Sequence, residues 1–184
     1  MTELTFAITF HGWFRVGAEL GRDGLDVAID HDDPLPGDSL KGAMLASARD
    51  VLGDAPVVAR AFGTPAAPSP WHWSSALPGK GGWTFDRTHR IEIDETSDTA
   101  RKDHLVVSEL AWAADARFTV TQLGRLTADE CTQQVVTLVA AARATHHLGG
   151  WRRRGLGWVG IAPTTDPATG VDLAAVLELR GAGR

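Results

Sequence analysis

GGWRRRGLGWVG, residues 149–160, gathers five glycines, three consecutive arginines and two tryptophans in twelve positions. Glycine weakens helix and strand interiors alike, because it loses the most backbone freedom on folding. Three adjacent arginines repel one another unless an anion lies nearby, so the stretch points to a ligand rather than to a core. Within it, Gly155-Leu156-Gly157-Trp158-Val159-Gly160 matches G-x-G-x-x-G in form. A dinucleotide fingerprint, however, follows a strand and opens a helix. The order here is reversed. Upstream, Thr127-Ala128-Asp129-Glu130 is a capping box, and Val135, Val136, Val139 and Ala140 give the helix after it a buried stripe, out to His147 or Leu148. Gly149 and Gly150 stop that helix. Trp158, Val159 and Ile161 then start a strand. What remains of the glycine motif is a loop whose backbone can approach a phosphate and whose arginines can bind one bidentately.

The rest of the chain has the same mixed character. Leu4, Phe6, Ile8 and Phe10 alternate with Thr5, Ala7, Thr9 and His11, predicting a half-buried strand over 4–16. Residues 17–38 form a loop with seven acids (Glu19, Asp23, Asp26, Asp30, Asp32, Asp33, Asp38) against Arg22 alone. Pro36-Gly37 introduces a helix running to about Gly53, with Asp38 or Ser39 as its cap. Residues 63–82 are a long excursion rich in Pro, Ser, Ala and Gly, carrying Trp71-His72-Trp73. Those rings have three open roles: stacking on bases, plugging a neighbouring subunit, or covering the sheet. Strands are expected at 83–94 and 105–121, with a last one at 171–179. The order strand, helix, strands, helix, strand predicts an α+β, ferredoxin-like (RRM-like) βαββαβ core. Its sheet is antiparallel, and both helices lie on one face. We read 1–184 as one domain with long loop excursions.

Composition bounds the function. A 43% hydrophobic chain can build a core. The net charge of −5 argues against a nucleic-acid binder taken as a sum, but the charges are segregated. Residues 141–160 contain Arg143, Arg152, Arg153 and Arg154 and no acid. One segment can hold a cation and the other an anion. The single cysteine, Cys131, fits a reducing compartment and reads as inert helix core. No secretory pattern or membrane-length apolar run is visible, so a cytoplasmic protein without a membrane partner is expected. His146-His147 are adjacent and do not share a face, which disfavours a metal pair.

A second anion-binding candidate is Pro36-Gly37-Asp38-Ser39-Leu40-Lys41-Gly42-Ala43. A helix N-terminus offers unpaired N–H groups and partial positive charge, to which Ser39 and Lys41 add a hydroxyl and an ammonium. A chain with P-G-x-S-L-K-G-A opening its first helix and G-G-x-R-x-x-G-x-G after its last resembles the RAMP superfamily of CRISPR proteins. More narrowly, it is similar to the backbone subunits of type III effector complexes. Phe62-Gly63, Ile91-Glu92-Ile93-Asp94-Glu95-Thr96, Thr99-Ala100 and Ser108-Glu109-Leu110 follow in the expected order.

The resemblance implies a subunit that binds guide RNA along its backbone and assembles side by side with copies of itself and other subunits. The RNA contacts would fall on Ser39, Lys41, Gly149, Gly150, Trp151, Arg152, Arg153, Arg154, Gly155 and Gly157. It also implies a loop aspartate that cuts bound target RNA, making the protein a metal-dependent endoribonuclease in antiviral defence. The family pattern falls best on Asp26, with Asp23 and Asp30 as alternatives. RNA carries its own nucleophile, the 2′-hydroxyl, so a carboxylate that accepts its proton or holds Mg²⁺ or another divalent cation suffices. Asp38 and Leu45 depart from the family pattern, where a small or hydroxyl residue and an arginine are usual, and the chain is short. Two other readings stay open: a non-catalytic scaffold subunit, and a stand-alone endoribonuclease using His11 as base.

Overall fold

The computed structural model describes residues 2–17, 24–91, 99, 105–151, 154–164 and 173–181. Strand β1 (Glu3–Phe10) buries Leu4, Phe6, Ile8 and Phe10 in strict alternation. It pairs antiparallel with β6 (Asp115–Gln122) on one side and β7 (Val159–Pro163) on the other, placing Phe6 opposite Phe118 and Ile8 opposite Ile161. The rings of Phe6 and Phe118 stack at 5.2 Å between centroids. β2 (Trp71–Trp73) and the short β3 (Leu77–Pro78) both pair with β6, giving the order β2-β6-β1-β7. Helices α1 (Gly37–Leu52) and α3 (Ala128–Ala144) pack together over the apolar face. This is the ferredoxin-like core that the sequence predicts.

The second core strand is not where the sequence places it. β4 (Thr84–Arg90) and β5 (Val106–Trp112) form a separate two-stranded sheet inserted ahead of β6. The core strand is instead Trp71–Trp73, inside the expected excursion. Trp71 and Trp73 are buried, with Trp73 stacked on Phe62 at 5.5 Å and the Trp71 indole N–H donating to Gln134 Oε1 at 2.7 Å. Both rings therefore cover the sheet and are not available to stack on bases. Three alternating residues between prolines are too few for periodicity to register.

Three other segments differ. Residues 171–179 lie largely in a helix, α4 (Leu173–Gly181), as befits its run of Ala, Leu and Glu. A short helix, α2 (Pro56–Phe62), opens on a proline at its first position and buries Val57, Val58, Ala61 and Phe62. The expected strand 4–16 divides after Phe10. Phe14, fully buried, exchanges two 2.9 Å backbone bonds with Ala111 of β5, so the chain passes from one sheet to the other.

The sheet face away from the helices carries Thr5, Ala7, Thr9, Arg117, Thr119, Thr121 and Ala162, all half-buried or exposed. β1, β6 and β7 place no phenylalanine or tryptophan there. An RNA-recognition module stacks bases on aromatics at that surface, so this one is not built for that mode. Among the described residues no helix is long and apolar enough to cross a membrane.

Candidate nucleic-acid interface

The glycine loop lies along the extended segment after β1. Gly150 N–H donates to Arg15 O at 2.8 Å, and Gly157 N–H donates to Trp13 O at 2.7 Å. Gly149 and Gly157 have φ of 73° and 78°, and a Cβ on them would sit 2.2 Å from Arg15 O and 2.0 Å from Leu148 O. Two of the N–H groups that the sequence reading offers to a phosphate are thus engaged by the fold. Those glycines let two chain segments approach, and the charge must come from the arginines. Arg154 is exposed at the loop tip. Arg152 and Arg153 lie outside the described residues.

Trp151 is half-buried with φ of 56°, a conformation that costs a non-glycine residue about 1–3 kcal/mol. Two guanidinium groups lie over its indole, Arg15 at 4.0 Å and Arg90 at 3.9 Å from the centroid. Cation–π contacts contribute about 0.5–2 kcal/mol each, enough together to offset that strain. Arg15 Nη1 also approaches Ser108 Oγ at 3.5 Å. Burial, and next the charge on Arg90, pull the Arg15 pKa below the ordinary arginine value.

Ser108 belongs to β5, and the acidic loop follows that strand's outer edge. Asp26 N–H donates to Val107 O at 2.9 Å, while Val107 N–H donates to Asp26 Oδ2 at 2.7 Å. Ile29 N–H donates to Glu109 Oε2 at 3.1 Å, and His31 Nε2 meets Glu109 Oε1 at 2.9 Å. The His31 ring stacks on Phe85 at 3.8 Å, tilted only 9°. Three consecutive β5 residues thus hold Asp26, Arg15 and His31, so the strand aligns the acidic loop with the arginine loop. Asp26 is exposed, with one oxygen fixed on the backbone and Oδ1 without a hydrogen bond among the described residues. Asp30 caps its own turn through Asp32 N–H at 3.0 Å, and Asp33 accepts from Ser75 Oγ at 2.7 Å. Asp23 lies outside the described residues.

Sequence reasoning missed Arg15, Arg90, Glu109 and His31 as site residues. One signal existed: Glu109 interrupts an apolar strand, and it is only 6% exposed. A carboxylate is rarely buried unless paired. Among the described residues no group of three or more His, Cys, Asp or Glu side chains could hold a metal. Mg²⁺ retains most of its waters and accepts one or two protein carboxylates, and the free Asp26 oxygen meets that modest demand.

The α1 segment forms a separate part of the surface. Its N-cap is Pro36, with no side-chain cap bond, because Gly37 rather than Ser39 begins the helix. A Cβ on Gly37 would sit 2.2 Å from Trp73 O, so the first turn is pressed against β2. Lys41 and Asp38 line a cleft of about 580 Å³ with Arg49, Phe62 and Thr64; Ser39 is half-buried beside it and does not line it. Since α1 begins at β2 and the glycine loop feeds β7, the two anion-binding candidates occupy opposite edges of the sheet. A bound strand would have to cross the molecule to touch both. His11, just past β1, lies beside Gly160.

The family model described as the RAMP superfamily matches residues 24–160, from just before Asp26 to the end of the glycine loop. Two cryo-EM structures described as Type III-B Cmr-beta, one in the apo state and one bound to cognate target RNA, are similar in fold. Each matches with a TM-score of 0.73 at 13% identity, over 89% of this chain and 98% or 97% of the other. No curated protein matches.

Proposed function

The chain belongs to the RAMP superfamily, and we propose that it is a guide-RNA-binding backbone subunit of a type III CRISPR effector complex. In this reading it also cuts guide-paired target RNA at Asp26, in cytoplasmic antiviral defence. The observation that supports this most is the alignment on β5. The strand fixes Asp26 through Val107 and reaches the arginine loop through Ser108 and Arg15. A proton acceptor and a backbone-binding cation cluster are then neighbours, the pairing that guided RNA cleavage requires.

Each residue has a physical task. Arg152, Arg153 and Arg154, with Trp151 and Gly149, Gly150, Gly155 and Gly157 shaping the loop, hold phosphates without reading sequence. Lys41 and Ser39 at the α1 edge hold the same strand further along. Asp26, immobilised by the Val107 N–H, presents its free oxygen to the 2′-hydroxyl and accepts its proton. The 2′-oxygen bonds to phosphorus as the phosphorus–5′-oxygen bond breaks, leaving a 2′,3′-cyclic phosphate and, after protonation, a 5′-hydroxyl. In the alternative role the same oxygen would hold a divalent cation, which when bound supplies charge neutralisation at the phosphate. The partners are guide RNA, target RNA, further copies of the chain and other subunits.

The test is cleavage of a labelled complementary RNA by the guide-loaded complex. Asp26→Asn keeps shape and loses charge, so it should retain guide and target binding while cutting falls about 100-fold or more. A chelator should silence the wild type. Wild-type rates from Asp26→Asn would remove Asp26 from the chemistry. Because one Asp26 oxygen is tied to the backbone, the non-catalytic scaffold is the second reading, and it predicts a wild type that binds both RNAs and never cuts.

A further inference from the structure

We propose that Arg15 and Arg90, gathered on Trp151, form an anion site that takes one RNA backbone phosphate and so fastens the β4–β5 hairpin to the bound strand. This rests on the reading that the chain binds RNA, and it adds two residues from elements outside both sequence motifs.

Four observations carry it. Two guanidinium groups share one indole, yet among the described residues neither makes an ion pair. Arg15 Nε and Arg90 Nη1 are shut from solvent with no acceptor among the described residues. Buried donors without partners are rare in folded proteins. An oxyanion toward which both groups turn gives the orphaned donors an acceptor and offsets the mutual repulsion. The indole is already overlaid by the two cations, so the cluster recruits an anion and not a stacked base. The surroundings select a phosphate over a carboxylate. Residues 141–160 hold four arginines and no acid, a run suited to a polyanion tracking past several cations.

The consequence is mechanical. Arg90 closes β4, opposite Val106, one residue before the Val107 that holds Asp26. A phosphate bridging Arg15 and Arg90 would set the hairpin, and Asp26 beside it, relative to the strand. Arg15 and Arg90 are positioning residues in this scheme, not catalytic ones.

The test is binding of a fluorescein-labelled single-stranded oligouridylate by anisotropy across a salt series. Arg15→Gln, Arg90→Gln and the double variant are compared with Arg154→Gln. One phosphate neutralised on a single strand contributes about 0.7 to the slope of log affinity against log salt. Since both arginines act on one phosphate, the double variant should lose about 0.7, not about 1.4. Each single variant leaves one cation on that phosphate and should lose less than the double. The double lysine variant should keep the slope and bind more weakly, because an ammonium cannot fork. It also decides the case if a glutamine variant fails to fold. An unchanged slope in the double variant beside a reduced one in Arg154→Gln would overturn this site and leave RNA binding standing. A wild type with no salt-dependent binding would overturn both. Unchanged RNA slopes with loss of self-association would assign the pair to a carboxylate on a second copy.

Discussion

Gly157 and Gly155 share a backbone conformation, with φ of 78° and 80°, but not an environment. A Cβ at 155 meets nothing within 4 Å, whereas one at 157 meets Leu148 O at 2.0 Å. Gly155→Ala should therefore cost only the left-handed penalty, about 1–2 kcal/mol. Gly157→Ala must also displace backbone that makes two short hydrogen bonds, to Trp13 O and from Leu148 N–H. Each contributes about 0.5–1.5 kcal/mol, so the loss should reach about 3 kcal/mol. Urea unfolding of both variants checks this, and equal losses would show that the close approach is not what Gly157 serves. The contrast also marks how far single residues could be read. The glycines and arginines of the loop stand out by composition, but a glycine required by a neighbouring carbonyl looks the same as one required by a phosphate. Arg15 and Arg90 were illegible because only the fold brings them to one indole. Asp26 was legible as a candidate from resemblance, and its anchor on Val107 was not.

α3 shows what a contiguous element can disclose. Thr127 Oγ1 accepts from Glu130 N–H at 3.3 Å, and Thr127 N–H donates to Glu130 Oε2 at 2.9 Å, the reciprocal box expected from sequence. Val135, Leu138, Val139 and Ala142 make the buried stripe behind it. Burial of a Val or Leu is worth about 1.5–3 kcal/mol, against about 1 for a cap, so the stripe holds the helix and the box sets its start. Hydrogen bonds from the Thr127 backbone, then its side chain, hold the Glu130 carboxyl below its ordinary pKa of 4.5. A lowered folded-state value means stability present above the unfolded pKa and lost as pH falls through the folded one. The melting-temperature gap between wild type and Glu130→Ala should therefore be full at pH 7 and shrink below about pH 4.5. A gap that persists unchanged in acid would deny the carboxylate its role. The same helix also shows where local reading ends. It stops at Ala144, where Thr145 Oγ1 donates back to Ala141 O at 2.7 Å. Val159 N–H then draws His146 into pairing at the start of β7, ahead of the glycines. β2 was hidden for the converse reason: its three residues are a strand only because β6 lies beside them.

At the scale of the molecule, a chain of net charge −5 repels RNA on average, so the proposed function requires it to bind through local cations. Those cations lie at both edges of the core sheet: Lys41 and Arg49 beside the β2 edge, Arg15, Arg90 and Arg154 at the β7 end. The face between them offers threonines rather than aromatics, so RNA bound as proposed would be held by its backbone along a path across the body. Such a path has a natural length. A folded chain of 184 residues has a radius of gyration of about 16 Å and a diameter of about 40 Å. A strand in duplex geometry advances about 3.4 Å per nucleotide, so a 36-nucleotide RNA reaches about 120 Å. One body cannot cover it and about three can, while an RNA of about eight nucleotides fits on one. Native mass measurement at saturating protein should show a single 19.6 kDa chain on the short RNA and added steps of that mass on the long one. With contacts to phosphates, as proposed, steps should be the same on unrelated sequences and vanish together at high salt. A strict one-to-one complex on the long RNA would mean that the protein occupies a terminal position, and the repeated backbone unit would then be another chain.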